Sequence, residues 1–127
     1  MCRNSDGFTL IEFLVSLVIL MVGLLGLLQT VNYALKYNLS TQLRNEAVSV
    51  GDTQMSMELA KPFELISTVT SSKFVSRQIL SGFRNYSVIR SGQDMTNSKQ
   101  VNVEVRWRYN KQSFSHMIYG ASSKSNK

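Results

Sequence analysis

Between positions 8 and 28 the chain reads FTLIEFLVSLVILMVGLLGLL, 21 residues with one charge, Glu12. As an α-helix this run is about 31 Å long at about 1.5 Å per residue, close to the roughly 30 Å hydrocarbon thickness of a bilayer. It is not built like a secretory leader, whose apolar core is shorter and is followed by a small-residue cut site. Here the core ends in Leu28-Gln29-Thr30, and the small residue beside it, Gly7, comes before the core, behind the polar stretch MCRNSDG. An acid in a membrane helix costs about 2.5–3.5 kcal/mol near the centre, so Glu12 marks a functional position. A plain uncleaved anchor, with Glu12 near the membrane surface, accounts for the hydrophobicity but not for the pattern Gly-Phe-Thr-Leu-Ile-Glu. A cut between Gly7 and Phe8 gives that pattern a use. It creates an α-amino group that is cationic near neutral pH, four residues from Glu12 and on the same helix face. The two charges can neutralise each other within one chain or between helices packed side by side.

Outside this run the chain offers a small head. Of 127 residues, 17% are charged, against about 25% in ordinary globular domains, and the deficit lies in the apolar run. Without that run too few apolar residues remain for a large soluble enzyme, while the total apolar content excludes disorder for most of the chain. The net charge of +6 is uneven: residues 8–61 hold three bases and four acids, residues 62–127 ten bases and three acids. A basic head suits nucleic acid, anionic lipid or acidic protein neighbours, and charge alone does not choose among them.

The single cysteine, Cys2, excludes an intramolecular disulfide, and it precedes the apolar run, where a lipidated cysteine would follow it. The single histidine, His116, has no Cys or His at ligand spacing, so neither a metal nor another cofactor is expected. There is no G-x-S-x-G turn, no Walker loop and no dinucleotide fingerprint. Glu58 and Glu64 stand either side of Pro62 with no reason to converge. The expectation is a protein that is not an enzyme.

Beyond Leu28 the pattern becomes amphipathic. Val31, Leu35, Leu39, Leu43 and Ala47 recur every four residues, followed by Val50, Gln54 and Met57, while Lys36, Asn38, Arg44, Glu46 and Asp52 fall off the stripe. This predicts one helix from Phe8 to about Ala60, some 80 Å if continuous, weakened at Gly51 and stopped by Pro62. In the head, residues 68–76 read as loop, 84–90 as a strand and 91–99 as loop. Residues 100–109 read as the clearest strand, with Val101, Val103, Val105, Trp107 and Tyr109 on one face and Asn102, Glu104, Arg106 and Arg108 on the other. Residues 110–112 read as a hairpin connection, 113–119 as a strand and 121–127 as a frayed tail. The expected class is α+β: one long N-terminal helix, its first half transmembrane, on a small three-stranded antiparallel sheet. Its divisions are a leader at 1–7, an apolar helical half at 8–28, an amphipathic half at 29–61 and a head at 62–127.

Gly7-Phe8-Thr9-Leu10-Ile11-Glu12 resembles the signal of type IV pilins and pseudopilins, and the sheet-on-helix plan is similar to the pilin fold. By position, the resemblance implies a cut after Gly7 by a prepilin peptidase, N-methylation of Phe8, and pairing of Glu12 with a neighbour's terminal amine during assembly. Residues 13–29 look most like PilV-type minor pilins, whose I-G-L-L-G-L motif is matched by Val22-Gly23-Leu24-Leu25-Gly26-Leu27. There is no proline in the first half of the helix, and Gln29 stands where major pilins often carry one. Gly23 and Gly26 would then supply either local flexibility or close helix packing.

The implied function is a minor type IV pilin in the bacterial inner membrane, leader cytoplasmic and head periplasmic, then in a pilus at the cell surface. The implied partners are major and minor pilin subunits, the prepilin peptidase, the inner-membrane assembly platform and the lipid bilayer. The alternatives are a pseudopilin of a type II secretion system and, less favoured, a DNA-binding competence pilin. Nucleic acid is not the expected partner, because Arg106 and Arg108 face away from Trp107 and Tyr109.

Overall fold

The computed structural model describes residues 7–125. Residues 1–6 of the expected leader, including Cys2, and the last two residues of the expected frayed tail lie outside the described residues. The long helix forms as expected: α1 spans Leu10–Leu59. It ends just before Pro62, after which Phe63–Leu65 makes one short 3-10 turn closed by the Leu65 amide donating to the Pro62 carbonyl at 2.8 Å. The chain divides into two compact units, Met1–Asn38 and Leu39–Lys127.

In the first unit the part of α1 from Phe13 to Leu28 is apolar around its whole circumference but for Ser16, and every described residue is exposed. An all-apolar helix surface needs a partner other than water, and α1 is long and apolar enough to cross a membrane.

The second unit is the head. Its sheet has four strands, one more than expected: β1 (Ser71–Ile79), β2 (Gly82–Asp94), β3 (Ser98–Tyr109) and β4 (Gln112–Ser123). They lie in the order β1-β2-β3-β4, each antiparallel to its neighbour. The loop expected at 68–76 is mostly β1. Its inward positions include Lys73 and Arg77, whose long stems can lie on apolar surface while their charges reach out, so the alternation of a half-buried strand is hidden in the sequence. The loop expected at 91–99 shrinks to a turn at 95–97, because β2 runs to Asp94 and β3 starts at Ser98. Residues Ala121–Ser123, expected to fray, pair with Gln100, Lys99 and Ser98.

The alternation in β3 is as expected. Val101, Val103 and Val105 are fully buried and Trp107 nearly so, while Arg106 and Arg108 are exposed. The turn after β3 is two residues, Asn110 and Lys111, both at positive φ (50° and 64°). That backbone matches the right-handed twist of an antiparallel hairpin.

The head's core lies between α1 and this sheet. Leu43, Ala47, Val50, Gly51 and Met55 are the buried helix residues. The buried face therefore turns towards Gly51 and Met55 and leaves Met57, the last residue of the expected stripe, 56% exposed, as happens when a helix crosses a twisted sheet. Gly51 does more than weaken the helix: a Cβ there would sit 2.7 Å from Ile118 Cδ1 and 3.3 Å from Val105 Cγ2. Tyr86 is fully buried, and its hydroxyl donates to the Leu43 carbonyl at 3.0 Å. Trp107 packs between Tyr86 (6.3 Å between centroids) and Phe114 (5.9 Å, stacked). Lys99 holds down the segment that follows the helix. Its ammonium donates to the Phe63 and Ile66 carbonyls and lies 4.9 Å from the centre of the Phe63 ring.

Trp107→Ala should remove about 3–5 kcal/mol of stability. Tyr86→Phe should cost about 1 kcal/mol, because only one buried hydrogen bond is lost. Thermal denaturation of the two variants beside the native protein checks both, and equal shifts would contradict the packing described for Trp107.

The best-built ion pair of the head joins helix to sheet. Glu58 accepts from Arg90 Nη1 and from Lys61 Nζ, each at 2.8 Å, and Arg90 Nη2 donates to the Val69 carbonyl at 3.2 Å. Burial pushes the Glu58 carboxyl up, but hydrogen bonds and charge from Lys61 and Arg90 outweigh it and hold the group below its ordinary value. A carboxyl lowered by folding contributes stability that is present above its unfolded value, about 4.3, and is lost as pH falls through the folded value. Glu58→Gln should therefore be less stable than the native protein at pH 7, and the difference should shrink as denaturation is followed from pH 5 downward. A gap that widens in acid would refute this.

Candidate processing and assembly site

Gly7, Phe8 and Thr9 precede the helix and belong to no regular element. Nothing lies within 4 Å of where a Gly7 side chain would start, and the Phe8 ring is 88% exposed. The peptide bond between them is thus open to a binding cleft, with a small, flexible residue on its N-terminal side.

The helix start is set by two reciprocal hydrogen bonds. The Thr9 amide donates to Glu12 Oε2 at 3.0 Å, and the Glu12 amide donates to Thr9 Oγ1 at 3.3 Å. Thr9 is the N-cap and Glu12 the third helical residue, the arrangement of a capping box. An acid in the first turn also complements the positive end of the helix dipole. Glu12 therefore has a partner already, the Thr9 amide and not Phe8. The Thr-x-x-Glu spacing was visible in the sequence as a capping signal, and reading the same residues only for processing passed over it. One turn further on, Ser16 Oγ donates to the Glu12 carbonyl at 2.8 Å.

Gly23 and Gly26 sit inside α1, each with nothing within 4 Å of a Cβ position. Thr30 Oγ1 donates to the Gly26 carbonyl at 3.0 Å. The helix is unbroken at both glycines, and the helix surface they offer is open.

The basic and aromatic residues of the head do not form one platform. Trp107 is in the core, whereas Arg106 lies on the opposite face and makes a two-point contact with Glu104 at 2.8 and 2.9 Å. Hydrogen bonding to Glu104, and then its charge, raise the Arg106 guanidinium above its ordinary value. Arg108 Nε reaches Ser113 Oγ at 3.4 Å. His116 is half-buried in β4 opposite Val105. Among the described residues no three His, Cys, Asp or Glu side chains gather as a metal site.

Residues 2–28 match the prokaryotic N-terminal methylation motif, the type IV prepilin-like signal. The match covers the polar stretch before Gly7, the exposed Gly7-Phe8 bond, the capping box and the apolar run, and the long helix on an antiparallel sheet matches the type IV pilin fold. The motif supports a type IV pilin-like or pseudopilin protein, a structural subunit. Motif and apolar helix together fit membrane anchoring and pilus assembly. No curated protein and no solved structure matches the chain.

Thr9→Ala removes one half of the capping box. The first turn should then loosen by about 1 kcal/mol, seen as roughly fivefold faster hydrogen exchange at the Glu12 and Phe13 amides, which donate to Thr9. Unchanged exchange would show that the cap does not hold the helix start.

Proposed function

We propose that the chain is a minor type IV pilin, made as a precursor, cut after Gly7 by a prepilin peptidase and N-methylated on Phe8. The observation that carries this reading is the methylation motif at residues 2–28, with its Gly7-Phe8 bond exposed just ahead of the helix. The minor-pilin reading, as against a pseudopilin of a secretion system, is supported by the resemblance of Val22-Gly23-Leu24-Leu25-Gly26-Leu27 to PilV-type proteins. In this reading the leader is cytoplasmic, residues 8–28 hold the chain in the inner membrane, and the head stands in the periplasm. Other pilin subunits and the assembly platform then take the chain into a pilus.

Each side chain has a chemical task in that sequence. Gly7, lacking a Cβ, enters a tight protease cleft in an extended conformation that a branched residue resists. The cut turns the Phe8 amide into an amine that is cationic near neutral pH. Within an apolar bundle of helices that charge is costly unless an acid accompanies it, and Glu12 of a neighbouring subunit supplies the acid. Gly23 and Gly26 let neighbouring helices approach closely.

Mass spectrometry of the protein purified from cells with an active prepilin peptidase tests the reading. The mature chain should begin at Phe8 with one added methyl group on its terminal nitrogen. Gly7→Val should stay uncut with MCRNSDG attached. Glu12→Leu should be cut and methylated but fail to enter the pilus. An intact Met1 terminus on the native protein would overturn the reading.

A further inference from the structure

We infer that the free edge of β4 is a docking site for one extended strand of another protein, apolar at alternate positions and acidic at its ends. The inference rests on the head alone and does not depend on how the N-terminus is processed. The sheet has two edges, β1 and β4, and they are built differently. The nine residues of β1 include Lys73 and Arg77 at inward positions, and Arg77 meets Glu46 of the helix at 3.5 Å. Inward-pointing charges on an edge strand block the addition of another strand. β4 has no such device. Its twelve residues, QSFSHMIYGASS, carry no Lys, Arg, Asp, Glu or Pro. Its register with β3 runs without a bulge from Tyr109↔Gln112 to Ser98↔Ser123.

The pairing also says which backbone groups are free. The Lys124 amide donates to the Asn97 carbonyl, and the two-residue turn makes Tyr109 and Gln112 a hydrogen-bonded pair. In an antiparallel ladder hydrogen-bonded pairs alternate with non-bonded ones, so the even-numbered residues of β4 bond to β3. The N–H and C=O groups of Ser113, Ser115, Met117, Tyr119, Ala121 and Ser123 then point away from the sheet. Unpaired edge groups of this kind are a template for strand addition. Beside them lie exposed apolar side chains, with Met117 at 45% and Tyr119 at 63% exposure.

Charge selects the occupant. Arg108 and Lys111 stand at one end of β4, and Lys124, 3.9 Å from the exposed Glu64, stands at the other. In the antiparallel registers open to a second copy, outward-bonding residues face one another, which brings Lys111 of one copy to a position next to Lys124 of the other, and like charges that close across a strand pair are destabilising. A strand with acids at its ends places opposite charges at the same positions.

The test uses the full chain in detergent micelles and a fluorescent synthetic strand of about ten residues, alternating Val and Thr with an acid at each end. This peptide should bind and should slow hydrogen exchange at the Met117 and Tyr119 amides. The same peptide with lysine at its ends should bind about tenfold more weakly. Met117→Pro removes an outward amide and no β3–β4 bond, and proline is tolerated on an edge strand with its nitrogen facing outward. That variant should lose binding about tenfold while the β3 amides stay protected. Methylating alternate peptide amides makes the same test without altering the protein and should also abolish binding. Lys111→Gly, which suits the positive φ of the turn, should weaken binding of the acidic peptide only. Equal binding of the two peptides, or undiminished binding after amide methylation, would overturn the inference. So would Met117→Cys chains that cross-link to one another along β4, because the occupant would then be a second copy.

Discussion

The head depends on how closely α1 can approach β3. Ala47 is fully buried on the helix, and one turn later Gly51 leaves no room for a side chain against Ile118 and Val105. That closeness lets Leu43, Val50 and Met55 share one core with Val101, Val103 and Val105. It also brings the Leu43 carbonyl within reach of the Tyr86 hydroxyl. A glycine in mid-helix gives up to about 1 kcal/mol of helix propensity, and here the loss is offset by the packing it permits. The larger residue that would suit the isolated helix would push the sheet away and open gaps along the seam, which a close-packed interior does not tolerate.

How much of this was legible depended on whether each residue's chemistry matched its burial. The apolar run and Glu12 stood out because an acid in such a run is rare and costly. β3 was plain because valines and a tryptophan alternate with Glu104, Arg106 and Arg108, so both faces announce themselves. β1 was hidden because Lys73 and Arg77 hold inward positions and pairing with β2, more than local sequence, makes it a strand. The polar stretch at 91–99 has the composition of a loop, yet Gly92 pairs with Val101 and Lys99 with Asp94. Lys99 in particular could not be read as structural, since its task is to bind carbonyls of residues more than thirty positions away. At the N-terminus the capping box lay in the same six residues as the processing signal, and one meaning masked the other.

Charge in the head is less free than the sequence count implies. Arg90 and Lys61 share Glu58, Arg106 is taken up by Glu104, and Arg77 faces Glu46. Much of the acid content of the second unit is thus already paired with these bases. Lys124 at one end of β4 lies 3.9 Å from Glu64, whereas Arg108 and Lys111 flank the turn at the other end. The basic character of the head is therefore local and is not that of a uniformly cationic surface.

The strand order itself has a kinetic meaning. Each strand pairs with the one that follows it in the chain, and the turns between them span only a few residues. Closing such short loops costs little chain entropy, and topologies dominated by near-neighbour contacts fold quickly. The sheet can grow hairpin by hairpin from Ser71 to Ser123, each new strand finding its template already laid down. Only the seam with the helix joins parts distant along the chain, and that seam starts from a segment whose helical conformation is local and early. A chain that delivers its helix first and its sheet afterwards, in sequence order, never has to wait for a strand that has yet to arrive.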